Sequence, residues 1–191
     1  NLNSYKISGY FQSYKYFWEY IEDIKKYLYI NQLKIDEIKE KYKQYGKEIL
    51  SIHMRLGDYL KLEDYHPTQP IEYYKKALSS YDLNKYQIIL FSDDINMAYE
   101  KAKELNIECI IADEIYTTDE DQFYMMCLSK IRICVNSTFS LMSCYINEMY
   151  NFIDDCEYIF PHKWFGPKGP EYEINDLISI DNYKYKILYN T

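Results

Sequence analysis

From Glu48 to Pro161 the sequence alternates short apolar runs with longer amphipathic stretches, and this alternation limits the fold more than any other feature. Short runs of branched apolar residues read as strands and the amphipathic stretches as helices, so the segment is a βα repeat. Strands are expected at 49–55, 87–92, 107–112, 131–135 and 157–160. Helices are expected from Pro70, which needs no amide partner in a first turn, from Asp93 or Asp94 to Leu105, over 119–129, and over 139–150. Strands joined by helices run parallel, and such a sheet is covered on both faces. The expected class is therefore α/β, with a doubly wound, mostly parallel sheet. Pro161, Gly166, Pro167, Gly169 and Pro170 then break the pattern, and Ile180, Tyr183 and Ile187 in the last twenty residues leave helix and strand equally open.

The residues before this repeat follow a helical period. Phe17, Ile21, Ile24 and Leu28 form one apolar stripe, with Glu19, Glu22, Asp23, Lys25 and Lys26 on much of the rest. A second helix is expected from about Ile35 to Tyr45, with Gly46 as its C-cap. The division that results is a helical segment over 1–46 and one doubly wound α/β domain over 47–191, which suits a chain of 191 residues.

Several classes are excluded or disfavoured. Lys and Arg number 22 against 30 Asp and Glu, a net charge of −8, the wrong sign for sequence-independent nucleic-acid binding. Five cysteines (Cys109, Cys127, Cys134, Cys144 and Cys156) lie among apolar residues with no CxxC pair, so they read as buried thiols in a reducing, cytoplasmic compartment. No run approaches the roughly 18 apolar residues of a membrane span, and no signal peptide is visible. The 25 tyrosines, alongside abundant Ile, Lys and Asn, fit A/T-rich codon usage, with a tyrosine-lined carbohydrate groove as the alternative.

Ligands of doubly wound sheets bind beyond the carboxyl ends of the strands. There the sequence places His53, Arg55, Gly57 and Asp58, then Asp93 and Asp94, then Asp113 and Glu114, then Asn136, Ser137 and Thr138, and finally His162, Lys163 and Trp164. Arg55 is one of two arginines in a lysine-rich chain, so its planar fork points to a task of geometry. That task is either holding a diphosphate or pairing with Asp58. His53 reads as an inward-facing structural group or a base. Asn136-Ser137-Thr138 reads as a phosphate-binding helix start or an ordinary N-cap; it is also a glycosylation sequon, in an unsuitable place. Asp93 and Asp94, being adjacent on an extended segment, point apart, so a cap plus one substrate-facing carboxylate is expected rather than a metal site. Asp119-Glu120-Asp121 is a helix start that the macrodipole alone explains.

Six segments in order resemble glycosyltransferase family 11, the alpha-1,2-fucosyltransferases. They are 9–17 (GYFQSYKYF), 51–59 (SIHMRLGDY), 73–77 (YYKKA), 91–95 (FSDDI), 136–140 (NSTFS) and 161–166 (PHKWFG). The resemblance implies a Rossmann-like domain of a GT-B type enzyme, a GDP-fucose donor, a glycan acceptor such as galactose, inversion at the anomeric carbon and no metal or other cofactor. It implies that Arg55 holds the diphosphate with Asn136, Ser137, Thr138 and Ser140, that Asp121 accepts from the guanine edge, and that His53, Asp58, Asp93 and Asp94 organise the chemistry. Leu56 stands where the family motif has a second arginine, Leu141-Met142 where tryptophans follow, and Met97 where tryptophan is common. The family's Gly-rich N-terminal motif is absent, and the chain begins at Asn1 without Met, so the expectation is either a C-terminal piece of a longer protein or a first half reduced to the two helices before Gly46. The alternatives are a non-catalytic GDP-sugar or glycan-binding module and a transferase using another nucleotide sugar.

Overall fold

The computed structural model describes residues 6, 8, 9, 11–171, 174–178 and 184–189. Asn1, Tyr10, Ile180 and Tyr183, singled out above, lie outside the described residues. Among the described residues six strands form one sheet: β1 (Glu48–Met54), β2 (Tyr86–Ser92), β3 (Ile110–Ile111), β4 (Ile131–Ile133), β5 (Glu157–Pro161) and β6 (Lys184–Leu188). Their order is β3-β2-β1-β4-β5-β6, and every neighbouring pair is parallel. This is the α/β, doubly wound, Rossmann-like sheet expected from the repeat.

Period-two alternation along the central strands builds two cores. Leu50, Ile52 and Met54 of β1, with Ile88 and Leu90 of β2, pack beneath α3 (Ile71–Leu78) and α4 (Ile95–Glu104). Ile49, Ile89 and Phe91 face the other way, onto Ile35, Ile38 and Tyr42 of α2 (Gln32–Lys43) and onto Tyr124, Met125 and Met126 of α5 (Asp119–Cys127). α6 (Thr138–Tyr150) leads from β4 towards β5, and α7 (Ile174–Ile178) precedes β6. α6 and β5 meet α7 in a third cluster that includes Leu141, Tyr145, Phe160, Trp164 and Leu177.

Two expectations about elements are corrected, and one question left open is settled. The apolar stripe from Phe17 to Leu28 does not make one helix: two 3-10 turns, Tyr14–Tyr16 and Trp18–Tyr20, precede a five-residue α1 (Ile21–Lys25). Phe17 and Trp18 set this break by packing on Tyr145, with ring centroids 5.4 and 6.3 Å away, so tertiary anchoring overrides the period. The third strand shrinks to two residues because Ala112 already opens a 3-10 turn. The last residues contain a strand, β6, which the sequence pattern left open. Gly46 takes φ +62°, as a helix terminus requires.

Candidate active site

β1 is hydrogen-bonded to both β2 and β4, and the chain leaves these two central strands towards opposite faces of the sheet. The crevice between the carboxyl ends of β1 and β4 is therefore the topological switch point of the fold. Arg55 stands one residue past β1, and Asn136-Ser137-Thr138 follows β4. A cleft of about 140 Å³ lies here, lined by His53, Arg55, Phe91, Ser92, Asp93, Asp119, Gln122, Ser137 and Phe139. A larger hollow of about 420 Å³, with Tyr86, Gln87 and Asn106 in its wall, sits at the opposite end of β2, where the fold collects no catalytic groups.

Arg55 is one-third exposed and gripped by two carboxylates: its Nη2 donates to Asp58 Oδ1 at 2.8 Å, and its Nε lies 3.3 Å from Asp93 Oδ2. Its guanidinium lies 5.5 Å from the centre of the Tyr59 ring. Tyr59 Oη in turn donates to the Asn136 carbonyl at 2.9 Å, bracing the loop after β1 against the turn after β4. Asp93 also accepts from the backbone amides of Leu56 (2.8 Å) and Gly57 (3.1 Å). That approach is why residue 57 is glycine, since a Cβ there would stand 2.6 Å from Asp93 Oδ2. Gly57→Ala should therefore displace Asp93 and release Arg55, read as a shift of the Arg55 Nε signal in nitrogen NMR. An unchanged signal would show that Asp93 does not set the arginine.

His53 lies on the face of β1 opposite Leu50 and Ile52, buried, with Nδ1 2.5 Å from Ser140 Oγ and its ring 5.5 Å from that of Phe139. Burial pushes its pKa down to about 4, with Asp93 raising and Arg55 lowering it to lesser extents. The unfolded chain takes up a proton near pH 6.5 while the folded imidazole stays neutral to about 4, so the stability from this group is complete above pH 6.5 and is lost as pH falls towards 4. Between pH 7 and pH 5 the loss should be about 2 kcal/mol, measured by urea unfolding, and His53→Gln should flatten that slope.

The remaining sites named from sequence divide sharply. Ser137 caps α6, accepting from the Phe139 amide at 3.3 Å, and lines the cleft. Thr138 is exposed at the same helix start and accepts a hydrogen bond from Gln12 Nε2 at 2.8 Å, which brings the N-terminal segment to the rim. Asn136 and Ser140 are not among the residues lining the cleft. The Asn136 amide is buried and bridges Gln69 Nε2 and the Trp164 carbonyl, whereas Ser140 is fully buried behind His53. Asp94 caps α4 through the Met97 amide at 3.0 Å and is not among the residues lining the cleft. Asp121 also stands outside that lining, 3.5 Å from Lys34 Nζ.

To the cleft α5 offers Asp119, read from sequence only as part of an acidic helix start, and Gln122, which the sequence pattern did not single out. A spacing of three puts these two on one helix face and leaves Asp121 off it, and that spacing was the available signal. Gln122 Nε2 is held by Asp113 Oδ1 and the Tyr116 carbonyl, both at 2.9 Å. Leu56 points into the core beneath α3 and does not line the cleft.

Residues 1–162 match the sequence profile of Glycosyl transferase family 11. The chain belongs to that family. It is 30% identical over 122 residues to the O-antigen biosynthesis glycosyltransferase WbnK of Escherichia coli, a match covering 61% of this chain and 39% of that protein. The fold is similar to the crystal structure of a glycosyl transferase family 9 protein from Veillonella parvula DSM 2008, with a TM-score of 0.51 and 13% identity, over 85% of this chain and 42% of the other. The chain thus spans about two-fifths of the length of each of these two proteins. The family 11 match takes in β1 to β5 and every residue of the cleft. Among the described residues no helix is long and apolar enough to cross a membrane.

Proposed function

We propose that this family 11 glycosyltransferase binds GDP-fucose at the switch-point cleft and passes fucose to a sugar hydroxyl, forming an alpha-1,2 linkage to galactose with inversion. The observation that carries the reading is Arg55, a scarce arginine at the carboxyl end of β1, facing the amino end of α6 across the cleft. Guanidinium and helix start together suit a diphosphate. In the reaction an acceptor oxygen attacks the anomeric carbon, the bond from that carbon to the phosphate oxygen breaks, and its electron pair leaves with GDP. Arg55 stabilises the charge that grows on the leaving phosphate, with Ser137 and Thr138 at the helix start beside it. No metal is needed for that step, because the arginine supplies the positive charge.

The proton of the acceptor hydroxyl needs a carboxylate. Asp93 is held by the Leu56 and Gly57 amides and by Arg55, and Asp94 caps a helix; Asp58, exposed and paired with Arg55 just outside the cleft lining, is the base in this reading. A diphosphate arriving on Arg55 takes over the Nη2 donor that Asp58 holds, freeing that carboxylate for the acceptor. Asp119 and Gln122 offer acceptor groups to the nucleoside. The cysteines described as free thiols suit a cytoplasmic location for this chemistry.

Titration of the chain with GDP and with UDP tests the reading. GDP binding in preference to UDP supports it, and absence of GDP binding sinks it. Release of GDP from GDP-fucose in the presence of a galactoside then tests transfer, and binding without release would favour a non-catalytic GDP-sugar module.

A further inference from the structure

We infer that Ser140 is a positioning residue that donates its hydroxyl proton to His53 Nδ1 and thereby presents His53 to the cleft as an Nε2–H hydrogen-bond donor. The inference rests on the reading of the cleft as a ligand site only for its functional consequence. Ser140 is fully buried, and its Oγ makes two contacts, with the Val135 amide at 3.4 Å and with His53 Nδ1 at 2.5 Å. The amide can only donate. If Nδ1 also carried a proton, the hydroxyl would accept twice and its own proton would have no acceptor in a buried site, at a cost of roughly 1–3 kcal/mol. With Nδ1 unprotonated, the hydroxyl accepts from Val135 and donates to the ring, and both groups are satisfied.

The neutral imidazole then keeps its proton on Nε2, which has no hydrogen-bond partner among the described residues, while the ring lines the cleft. Burial holds the imidazole neutral, as shown above, and the Tyr74 hydroxyl, donating to the His53 carbonyl at 3.3 Å, helps fix the backbone beneath it. The charged groups facing His53 are Asp93 and Arg55, and Asp119 shares the cleft. A donor at Nε2 suits an oxygen of the bound nucleotide sugar. It does not suit removal of a proton from an acceptor hydroxyl, which leaves that task to a carboxylate.

The test is histidine tautomer assignment by nitrogen NMR on the ligand-free 191-residue chain at pH 7, with the His53 signals identified by their loss in His53→Gln. The expected result is a single tautomer with Nε2 protonated, unchanged at pH 5. Ser140→Ala should turn it into a mixture and raise the GDP dissociation constant about tenfold. A proton on Nδ1 in the wild-type chain, or an unaltered tautomer in Ser140→Ala, would overturn the inference. If the tautomer is as expected but GDP does not bind, the nucleotide reading falls and the role of Ser140 towards His53 stands.

Discussion

Arg55→Ala should weaken GDP binding by the chain at least about 100-fold and, in an enzyme that turns over, lower kcat by a similar or larger factor. The loss of one donor aimed at developing charge costs about 100-fold to 1,000-fold. Arg55→Lys should recover only part of it, because an ammonium cannot hold two oxygens in a plane. The competing account is that Arg55 serves only to pair with Asp58, a contact the structure does contain at 2.8 Å. The pair is too exposed to matter much for stability, since such pairs contribute about 0–1 kcal/mol. That account expects Arg55→Ala and Asp58→Ala to change stability slightly and GDP affinity not at all. Equal GDP affinity in wild type and Arg55→Ala would therefore decide for it.

The second arginine produces the other large expected effect. Arg132 on β4 is completely buried; its Nε donates to the Met126 carbonyl at 2.6 Å, its Nη2 donates to the Cys127 carbonyl, and its guanidinium lies 5.0 Å from the Tyr158 ring centre. It therefore closes the carboxyl end of α5, where unpaired carbonyls and the negative end of the helix dipole favour a cation. Arg132→Ala removes that closure and leaves a cavity, and should cost about 3–5 kcal/mol in urea unfolding, a large share of a domain's stability. Arg132→Met should cost less, since it keeps the apolar volume, and should leave GDP affinity within a factor of a few. A large loss of GDP affinity in a folded Arg132→Met chain would place this arginine in the site after all.

The two arginines show how far residue scarcity reads from sequence. The inference that arginine marks a task of geometry holds for both, because each uses its planar fork on two oxygen acceptors. Burial distinguishes the tasks, and burial depends on which face of a strand meets which helix. Arg132 lies within β4 and points into a closed core, whereas Arg55 lies one residue past the end of β1, where the chain has left the sheet.

The same distinction runs through the candidate site. Period-two and helical patterns make the α/β alternation and the carboxyl-edge placement of His53, Arg55, Asp58, Asp93 and Ser137 legible, because those patterns are local consequences of which residues must be buried. The break of the first helix at Phe17 and Trp18 was not legible, because it depends on Tyr145, far along the chain. The family resemblance implies Asp121, whereas the phase of α5, which only the first residue of that helix fixes, turns Asp119 and Gln122 to the cleft.

The sequence by itself determined a parallel α/β sheet and, through the order of its motifs, a family 11 glycosyltransferase. Only the tertiary structure decided which of the neighbouring polar residues face the cleft. Asn136, Ser140 and Asp94 sit within a few residues of Ser137 and Asp93 yet spend their hydrogen bonds inside the protein. The reason is physical: most buried polar groups find a partner, and whether that partner is the protein or a ligand is set by groups such as Gln69, Trp164 and His53, which only the folded chain brings near.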